Sequence, residues 1–319
     1  MNRVELMELV RDYQVGGVSR RQFLVRATAV LGSVVAANTL LAACNANPND
    51  NPPPVVDANQ PVATATESPT APTATAPPLP TEEPATTASA APEEGALVSG
   101  VTTYPGTGSE TLMGYWAYQS GGEPRPAVIV IQEWWGLNDH IKDVANRFAV
   151  EGYVALAPDL YHGVVTTEPD EARKQAMELG TADAVAEIQA AIDFLKGQAV
   201  ANGRFGIVGF CMGGGLVLQT AANSVDIHAA VPFYGTPLSA SQAAQVTAPV
   251  LSFLGTRDGI PASGYETMHA ALTEAGVPNK FQLYDGAQHA FFNDTRASYD
   301  AAAAADAWQQ TLTWFKTYL

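Results

Sequence analysis

The sequence has 319 residues, enough for one large domain with extensions or for two modest domains. Its 32 acidic side chains against 16 basic ones give a formal charge of -16, which disfavours nucleic acid and anionic lipid surfaces as partners. Two cysteines, Cys44 and Cys211, are too few for a disulfide framework of the small secreted kind. No glycine period, long heptad run or series of apolar stretches of about 20 residues is present, which excludes collagen, coiled coils and polytopic membrane proteins.

The chain begins with a segment, residues 1–43, that is predicted to be an export signal. The pair Arg20-Arg21 precedes an apolar run and resembles the twin-arginine export signal. The run ends in Leu41-Ala42-Ala43-Cys44, which resembles a bacterial lipobox, so Cys44 is expected to be lipidated. We therefore expect a protein that is anchored by its lipid to the outer face of the bacterial cell membrane, or periplasmic, with no other membrane contact. The alternative is an uncleaved helix or an ordinary buried one.

Residues 44–95 are predicted to be a disordered tether. They contain 12 of the 22 prolines, many Thr and Ala, and no aromatic residue, Lys or Arg. Such a composition cannot bury enough apolar surface to offset the entropy lost on ordering. The remaining residues, 96–319, are predicted to form one catalytic domain.

Short β-branched runs alternate with helical patterns through residues 96–319. Strands are predicted at residues 111–118, 127–131, 153–157, 205–208, 229–233, 250–254 and 281–284. Helices are predicted at residues 139–150, 181–196, 213–222, 264–275 and 297–318. This alternation predicts an α/β domain with a mostly parallel, twisted sheet and helices on both faces. The chemistry of such sheets lies at the carboxyl ends of the strands.

The strongest motif is Gly209-Phe210-Cys211-Met212-Gly213, which follows a predicted strand and opens a predicted helix. It has the form of a nucleophile elbow, a sharp turn that raises a reactive side chain out of the sheet, here with cysteine in place of serine. The helix N-terminus beside it would favour both a thiolate and an oxyanion. The alternative is a buried, inert cysteine at a glycine-rich packing corner.

Asp258 and His289 follow the elbow, each just beyond a predicted strand. The order nucleophile, acid, histidine is that of α/β hydrolases. His289 would take the proton of the Cys211 thiol, and Asp258 would orient the imidazole. Asp258 could instead cap the following helix, and His289 could be an ordinary loop residue.

The loop after the strand 127–131 contains Glu133, Trp134 and Trp135. The N–H groups of Trp134 and Met212 are expected to form an oxyanion hole. Glu133 lies in an otherwise apolar and aromatic setting, which makes its pKa a candidate for perturbation. The alternative is a glutamate that faces solvent.

These motifs, with Pro158-Asp159-Leu160-Tyr161, together resemble the dienelactone hydrolase family over nearly all of residues 96–319. The resemblance implies an α/β-hydrolase fold and a Cys-Asp-His triad that hydrolyses esters or lactones through a thioester, as carboxymethylenebutenolidase does. It also implies that Glu133 contacts the resting thiol and takes part in its activation. Asp159 is expected to anchor the backbone of its loop.

Members of the family that degrade aromatic compounds hold the substrate carboxylate with two arginines. Arg173 is expected to match the first, and Tyr161 and Phe233 to complete the substrate site. Asn293 stands where the second arginine is expected, and an amide does not replace its charge. Dienelactone itself is therefore a doubtful substrate, and a neutral ester or lactone is at least as good a candidate.

No cofactor, metal ion or nucleic acid is expected, and the protein is predicted to be monomeric. The alternative function is that of a substrate-binding or sensing lipoprotein with a degenerate hydrolase site. A thiol-redox role is disfavoured because residues 96–319 contain no second cysteine.

Overall fold

A computed structural model describes residues 93–319. The predicted export signal, the lipidation site Cys44 and nearly all of the tether 44–95 lie outside the described residues. Within residues 93–319, no helix combines the length and the apolarity that crossing a bilayer requires.

In this part of the chain, residues 93–319, eight strands form one sheet. They are β1 (Leu97–Pro105), β2 (Thr111–Gln119), β3 (Arg125–Ile131), β4 (Val154–Pro158), β5 (Ala201–Phe210), β6 (Ala229–Phe233), β7 (Val250–Arg257) and β8 (Asn279–Gln288). Their order in the sheet is β1-β2-β4-β3-β5-β6-β7-β8. β2 pairs antiparallel with both β1 and β4, and every other pair is parallel. The predicted mostly parallel sheet is therefore confirmed.

Within the described residues, seven helices connect or flank these strands. They are α1 (Asp139–Val150), α2 (Pro169–Glu178), α3 (Thr181–Lys196), α4 (Met212–Asn223), α5 (Ala240–Ala243), α6 (Ala262–Glu274) and α7 (Ala301–Tyr318). Two local signals fix the start of α1 and of α7: the side chain of Asn138 accepts the N–H of Ile141, and the side chain of Asp300 accepts the N–H groups of Ala302 and Ala303.

The core lies between the sheet and the helices. Residues 127–131 of β3 are completely buried, as expected of a central strand covered on both faces. On one face α1 and α7 pack together, where the ring of Phe148 lies 4.6 Å from Trp308 and 5.8 Å from Phe315. Because β3, β5, β6 and β7 are parallel neighbours, the loops that carry Glu133, Cys211 and Asp258 meet at one edge of the sheet.

Candidate active site

Cys211 lies at the turn from β5 into α4 with a strained backbone. Its φ of 56° and ψ of -116° are unusual for a residue with a side chain. Such a conformation costs about 1–3 kcal/mol and persists only where the surroundings impose it. Two hydrogen bonds do so: the N–H of Cys211 donates to Phe233, and its carbonyl accepts the N–H of Gly215. The turn therefore has the geometry of a nucleophile elbow, and the thiol is partly exposed.

Glycines around the elbow allow three backbone segments to approach closely. A Cβ on Gly209 would lie 2.5 Å from the carbonyl oxygen of Gly213, and one on Gly214 would lie 2.4 Å from that of Phe233. A Cβ on Gly213 would lie 2.5 Å from the carbonyl oxygen of Gln132. These positions exclude every larger residue, so the glycines set the distance between α4 and the loop after β3.

His289 and Asp258 form the second part of the arrangement. His289 follows β8, Asp258 follows β7, and Nδ1 of the imidazole lies 2.9 Å from Oδ2 of the carboxylate. The Asp258 side chain is fully buried, whereas that of His289 is 41% exposed. The other carboxylate oxygen of Asp258 accepts the N–H of Ile260, which fixes its orientation. One carboxylate thus orients the imidazole and also anchors the loop before α6.

The pKa of His289 shows how the triad is coupled. Burial of the ring lowers this pKa, but the hydrogen bond to Asp258 and the adjacent Cys211 thiol outweigh burial and raise it from 6.5 to about 10. The thiol therefore lies close enough to the ring to act on its protonation. Asp258 and Cys211 both act on the imidazole of His289, and that the three residues form a catalytic triad stays a prediction.

Glu133 is 1% exposed, and its surroundings differ from those of a surface glutamate. Burial raises its pKa, against the opposing effects of a hydrogen bond from Asn293 and of the charges of Arg296 and His289. Nδ2 of Asn293 donates to Oε2 of Glu133 at 2.7 Å. The contact with the resting thiol that the family resemblance implies is not among the hydrogen bonds of residues 93–319. The carboxyl group instead accepts a hydrogen bond from the side-chain amide of Asn293.

The predicted oxyanion hole has two available donors. Met212 is the first residue of α4, where backbone N–H groups have no partner within the helix. Among residues 93–319, no acceptor takes up the N–H of Met212 or that of Trp134. The thioether of Met212 accepts the hydroxyl of Tyr161 at 3.3 Å. Both N–H groups are thus free to bind a developing oxyanion.

The three residues predicted to bind substrate have different positions. Tyr161 is 5% exposed and lies beside Met212, next to the elbow. Phe233 is 1% exposed and packs 4.6 Å from Phe253, so its side chain has no free surface, and what it offers the site is its carbonyl. Arg173 lies on α2, where its side chain is 62% exposed and its guanidinium pairs with Asp170 at 3.4 Å. Within residues 93–319, no contact connects Arg173 with the triad. Its role in binding stays a prediction.

Asp159 has the anchoring role expected from the sequence. Its carboxylate accepts the N–H of Tyr161 at 3.1 Å and that of Gly163 at 2.7 Å. These bonds hold the loop after β4 beside the elbow.

Two further residues at the site were missed by the sequence analysis. Tyr234, with a φ of 37°, is completely buried, and its ring lies 5.1 Å from that of His289. The guanidinium carbon of Arg296 lies 4.1 Å from the ring centroid of Trp135, a cation–π contact. Tyr234 belongs to an apolar strand end and Arg296 to an irregular loop, so neither position carries a periodic signal that could single it out.

The fold and this site define an α/β hydrolase. The sequence model of the dienelactone hydrolase family matches residues 112–319. The chain belongs to the dienelactone hydrolase family.

Individual relatives agree with this assignment. A protein of Escherichia coli K12 named "Putative carboxymethylenebutenolidase" is 37% identical over 256 residues, which cover 70% of this chain and 88% of that protein. The crystal structure of a "Putative Dienelactone Hydrolase" from Klebsiella pneumoniae has a TM-score of 0.66 and 33% identity, and covers 70% of this chain and all of that one. A dienelactone hydrolase-like promiscuous phosphotriesterase from metagenomic libraries has a TM-score of 0.64 and 26% identity, and covers 70% of this chain and 99% of that one.

Proposed function

We propose that the protein hydrolyses small esters or lactones through a thioester formed on Cys211. The observation that carries this proposal is the strained backbone of Cys211 at the elbow, together with the imidazole of His289, which is hydrogen-bonded to Asp258 at 2.9 Å. A positive φ at a residue with a side chain is costly, and its most direct use here is to expose a nucleophile.

The reaction follows from the positions of these groups. The proton of the thiol passes to His289, and the sulfur attacks the substrate carbonyl carbon as the carbonyl electron pair moves onto oxygen. The N–H groups of Trp134 and Met212 stabilise that oxyanion. On collapse the C–O bond breaks, and His289 returns the proton to the departing alkoxide. Water, deprotonated by His289, then attacks the thioester, the C–S bond breaks, His289 returns the proton to the sulfur, and the acid leaves with the thiol restored.

A neutral ester or lactone is the proposed substrate class. The position after the His289 motif where a second arginine is expected holds Asn293, and its amide is already bound to Glu133. Arg173 pairs with Asp170 on an exposed helix. The two positions therefore do not supply the two free guanidinium groups that would select a carboxylate.

Replacing the nucleophile tests the proposal directly. We expect Cys211→Ala to lower kcat/KM for p-nitrophenyl esters and small lactones by about 10³-fold or more while the fold is kept. Cys44→Ala, which removes the other thiol, is the matched control and should keep full activity in detergent-solubilised protein. Normal turnover by Cys211→Ala would show that the nucleophile is wrongly assigned.

His289→Ala tests the base. Because the imidazole accepts the thiol proton, we expect acylation to slow by about 10²-fold or more, measured as the initial release of p-nitrophenol. In the pH–rate profile of this variant, the limb that reports titration of the imidazole should also be absent. A pH–rate profile identical to that of the unmodified protein would contradict the assignment.

A binding or sensing lipoprotein is the rival function, and thiol reactivity distinguishes the two. An enzyme of this kind should have its Cys211 alkylated by iodoacetamide faster than a free thiol at pH 6, since the imidazole favours the thiolate. A rate no higher than that of free cysteine would favour the binding protein.

The location and assembly remain parts of the proposal. We propose that the chain is exported by its twin-arginine signal, that Cys44 is lipidated, and that the domain acts as a monomer at the outer face of the membrane. Metabolic labelling with a palmitate analogue should mark the protein, and Cys44→Ala should abolish the label.

A further inference from the structure

Asn293 is a buried amide whose orientation is fixed. It lies in the loop between β8 and α7 and is completely inaccessible to solvent. Its Oδ1 accepts the backbone N–H of Thr295 at 3.0 Å and the hydroxyl of Thr295 at 2.7 Å. An amide oxygen has two lone pairs, and both are used here. The amide therefore cannot rotate by half a turn without losing two hydrogen bonds.

The fixed amide directs its NH₂ group at Glu133. The bond from Nδ2 to Oε2 is 2.7 Å long and joins loops that are 160 residues apart in sequence. It is the one side-chain hydrogen bond that the Glu133 carboxyl makes within residues 93–319. A buried carboxyl group with its single donor removed would lose most of its compensation for desolvation.

The charged and titratable groups around Glu133 come from several loops. His289 and Arg296 lie on the loop after β8, and the buried hydroxyl of Tyr234 comes from the loop after β6. Arg296 stacks on Trp135 and makes no ion pair within residues 93–319. Burial nevertheless dominates and raises the pKa of Glu133. Of the groups that favour the ionised form, only the amide of Asn293 is in direct contact with the carboxyl group.

We propose that Asn293, oriented by Thr295, is a positioning residue that holds the Glu133 carboxyl group beside the triad. A neutral amide satisfies the carboxylate without cancelling its charge, and that charge then acts on the imidazole of His289. The same bond ties the His289 loop to the loop of the predicted oxyanion hole. This inference rests on the proposed function and deepens it, because it assigns a role to the residue that departs from the family pattern.

The test compares Asn293→Asp and Asn293→Leu with the unmodified protein, all as full-length chains carrying Cys44→Ala. Both changes remove the donor, and the aspartate also places a second buried carboxyl group against Glu133, which opposes ionisation of the pair. We expect the acidic limb of kcat/KM for p-nitrophenyl acetate to move up by about one pH unit or more. We expect kcat to fall about tenfold and KM to change much less.

A second readout does not depend on ester turnover. The rate of Cys211 alkylation by iodoacetamide, followed against pH, should show the same upward shift, because a protonated Glu133 no longer supports the imidazolium. If Asn293→Asp shifts alkylation in a protein that cleaves no ester, the proposed hydrolysis fails while the positioning role stands. If esters are cleaved and neither profile moves in Asn293→Asp, the positioning role is wrong.

The double variant with Glu133→Gln separates positioning from a structural effect. With no carboxyl group to hold, we expect Asn293→Asp to cause no shift of the profile in that background, and a shift of full size there would overturn the inference. Asn279→Asp is the matched control, since Asn279 lies at the start of β8, at the opposite end of that strand from His289, where its Oδ1 contacts the buried His269 at 2.8 Å, and it should leave both profiles unmoved. Thr295→Val removes one of the two hydrogen bonds that orient Asn293 and should give a smaller shift in the same direction. This variant replaces Asn293→Leu in the test if Asn293→Leu fails to fold.

Discussion

At the residue scale, the His289–Asp258 pair makes the stability of the protein depend on pH. The pKa of His289 is raised from 6.5 to about 10 in the folded state, so the folded protein retains a proton that the unfolded chain releases. The stability due to the contacts of His289 with Asp258 and Cys211 is fully present below about pH 6.5 and is lost as the pH rises through about 10. Because the ring is 41% exposed, solvent screening reduces the size of the effect.

Asp258→Asn tests this dependence. The change removes the charge that favours the imidazolium, so we expect the variant to be less stable than the unmodified protein at pH 6 and nearly equal to it at pH 10.5. The difference in Tm between the two proteins, measured across that range, should therefore shrink as the pH rises. A difference that grows with pH would mean that the pair does not hold the proton. We also expect kcat/KM to fall by about 10³-fold or more at pH 7.

The individual site residues differ in how far the sequence predicts them. Cys211 and Asp258 follow buried, apolar strands, and His289 follows the weaker strand β8 at the sheet edge, so their place at the carboxyl ends of neighbouring strands was predictable from strand pattern and chain order. The partner of Glu133 was not predictable, because the hydrogen bond from Asn293 depends on the path of an irregular loop that no periodic pattern encodes. Phe233 was expected to complete the substrate site, but its ring is buried in the core.

At the element scale, the start of α4 determines where the thiol stands. Gly213→Ala would place a Cβ 2.5 Å from the carbonyl oxygen of Gln132 and 2.6 Å from that of Ile131. Neither backbone oxygen can move without displacing β3, so we expect a loss of about 3 kcal/mol in the free energy of unfolding and a severe loss of activity. Urea unfolding and p-nitrophenyl ester hydrolysis measure the two effects.

Gly215→Ala is the matched control two residues along the same helix. Its Cβ would meet nothing closer than 3.5 Å, an ordinary contact. Alanine favours the helical conformation over glycine, so we expect the free energy of unfolding to rise by about 0.5–1 kcal/mol. Equal destabilisation by both substitutions would show that close packing against β3 is not what requires glycine at position 213.

The elements that the sequence predicted are those with a strong apolar pattern. The predicted helices 139–150 and 181–196 agree with α1 and α3 at both ends. α2 was missed because it buries only Ala172, so its sequence has no apolar face to recognise. β1 was missed because it lies at the edge of the sheet and Tyr104 is its one buried residue, which leaves hydrogen bonding to β2 to define it. Burial, the property that such patterns report, is limited to one residue in each of these elements.

At the scale of the whole molecule, net charge determines how charged substrates approach. Residues 93–319 contain 24 acidic and 11 basic side chains, so the described domain is strongly anionic. Such a field lowers the local concentration of an anionic substrate at the site, and salt screens it over a Debye length of about 10 Å at 0.1 M. A neutral ester is insensitive to that field.

The prediction is a difference in salt dependence between two esters with the same leaving group. Between about 10 mM and 300 mM NaCl, we expect kcat/KM for the p-nitrophenyl half-ester of succinate to rise about two- to fivefold, and that for p-nitrophenyl acetate to stay constant. Arg296, stacked on Trp135, places a positive charge close to Glu133. Arg296→Ala should therefore lower the activity on the half-ester at every salt concentration and steepen its rise with salt. A decrease of activity with salt in the unmodified protein would show instead that the charge of Arg296 outweighs the net charge, and would argue for an anionic substrate.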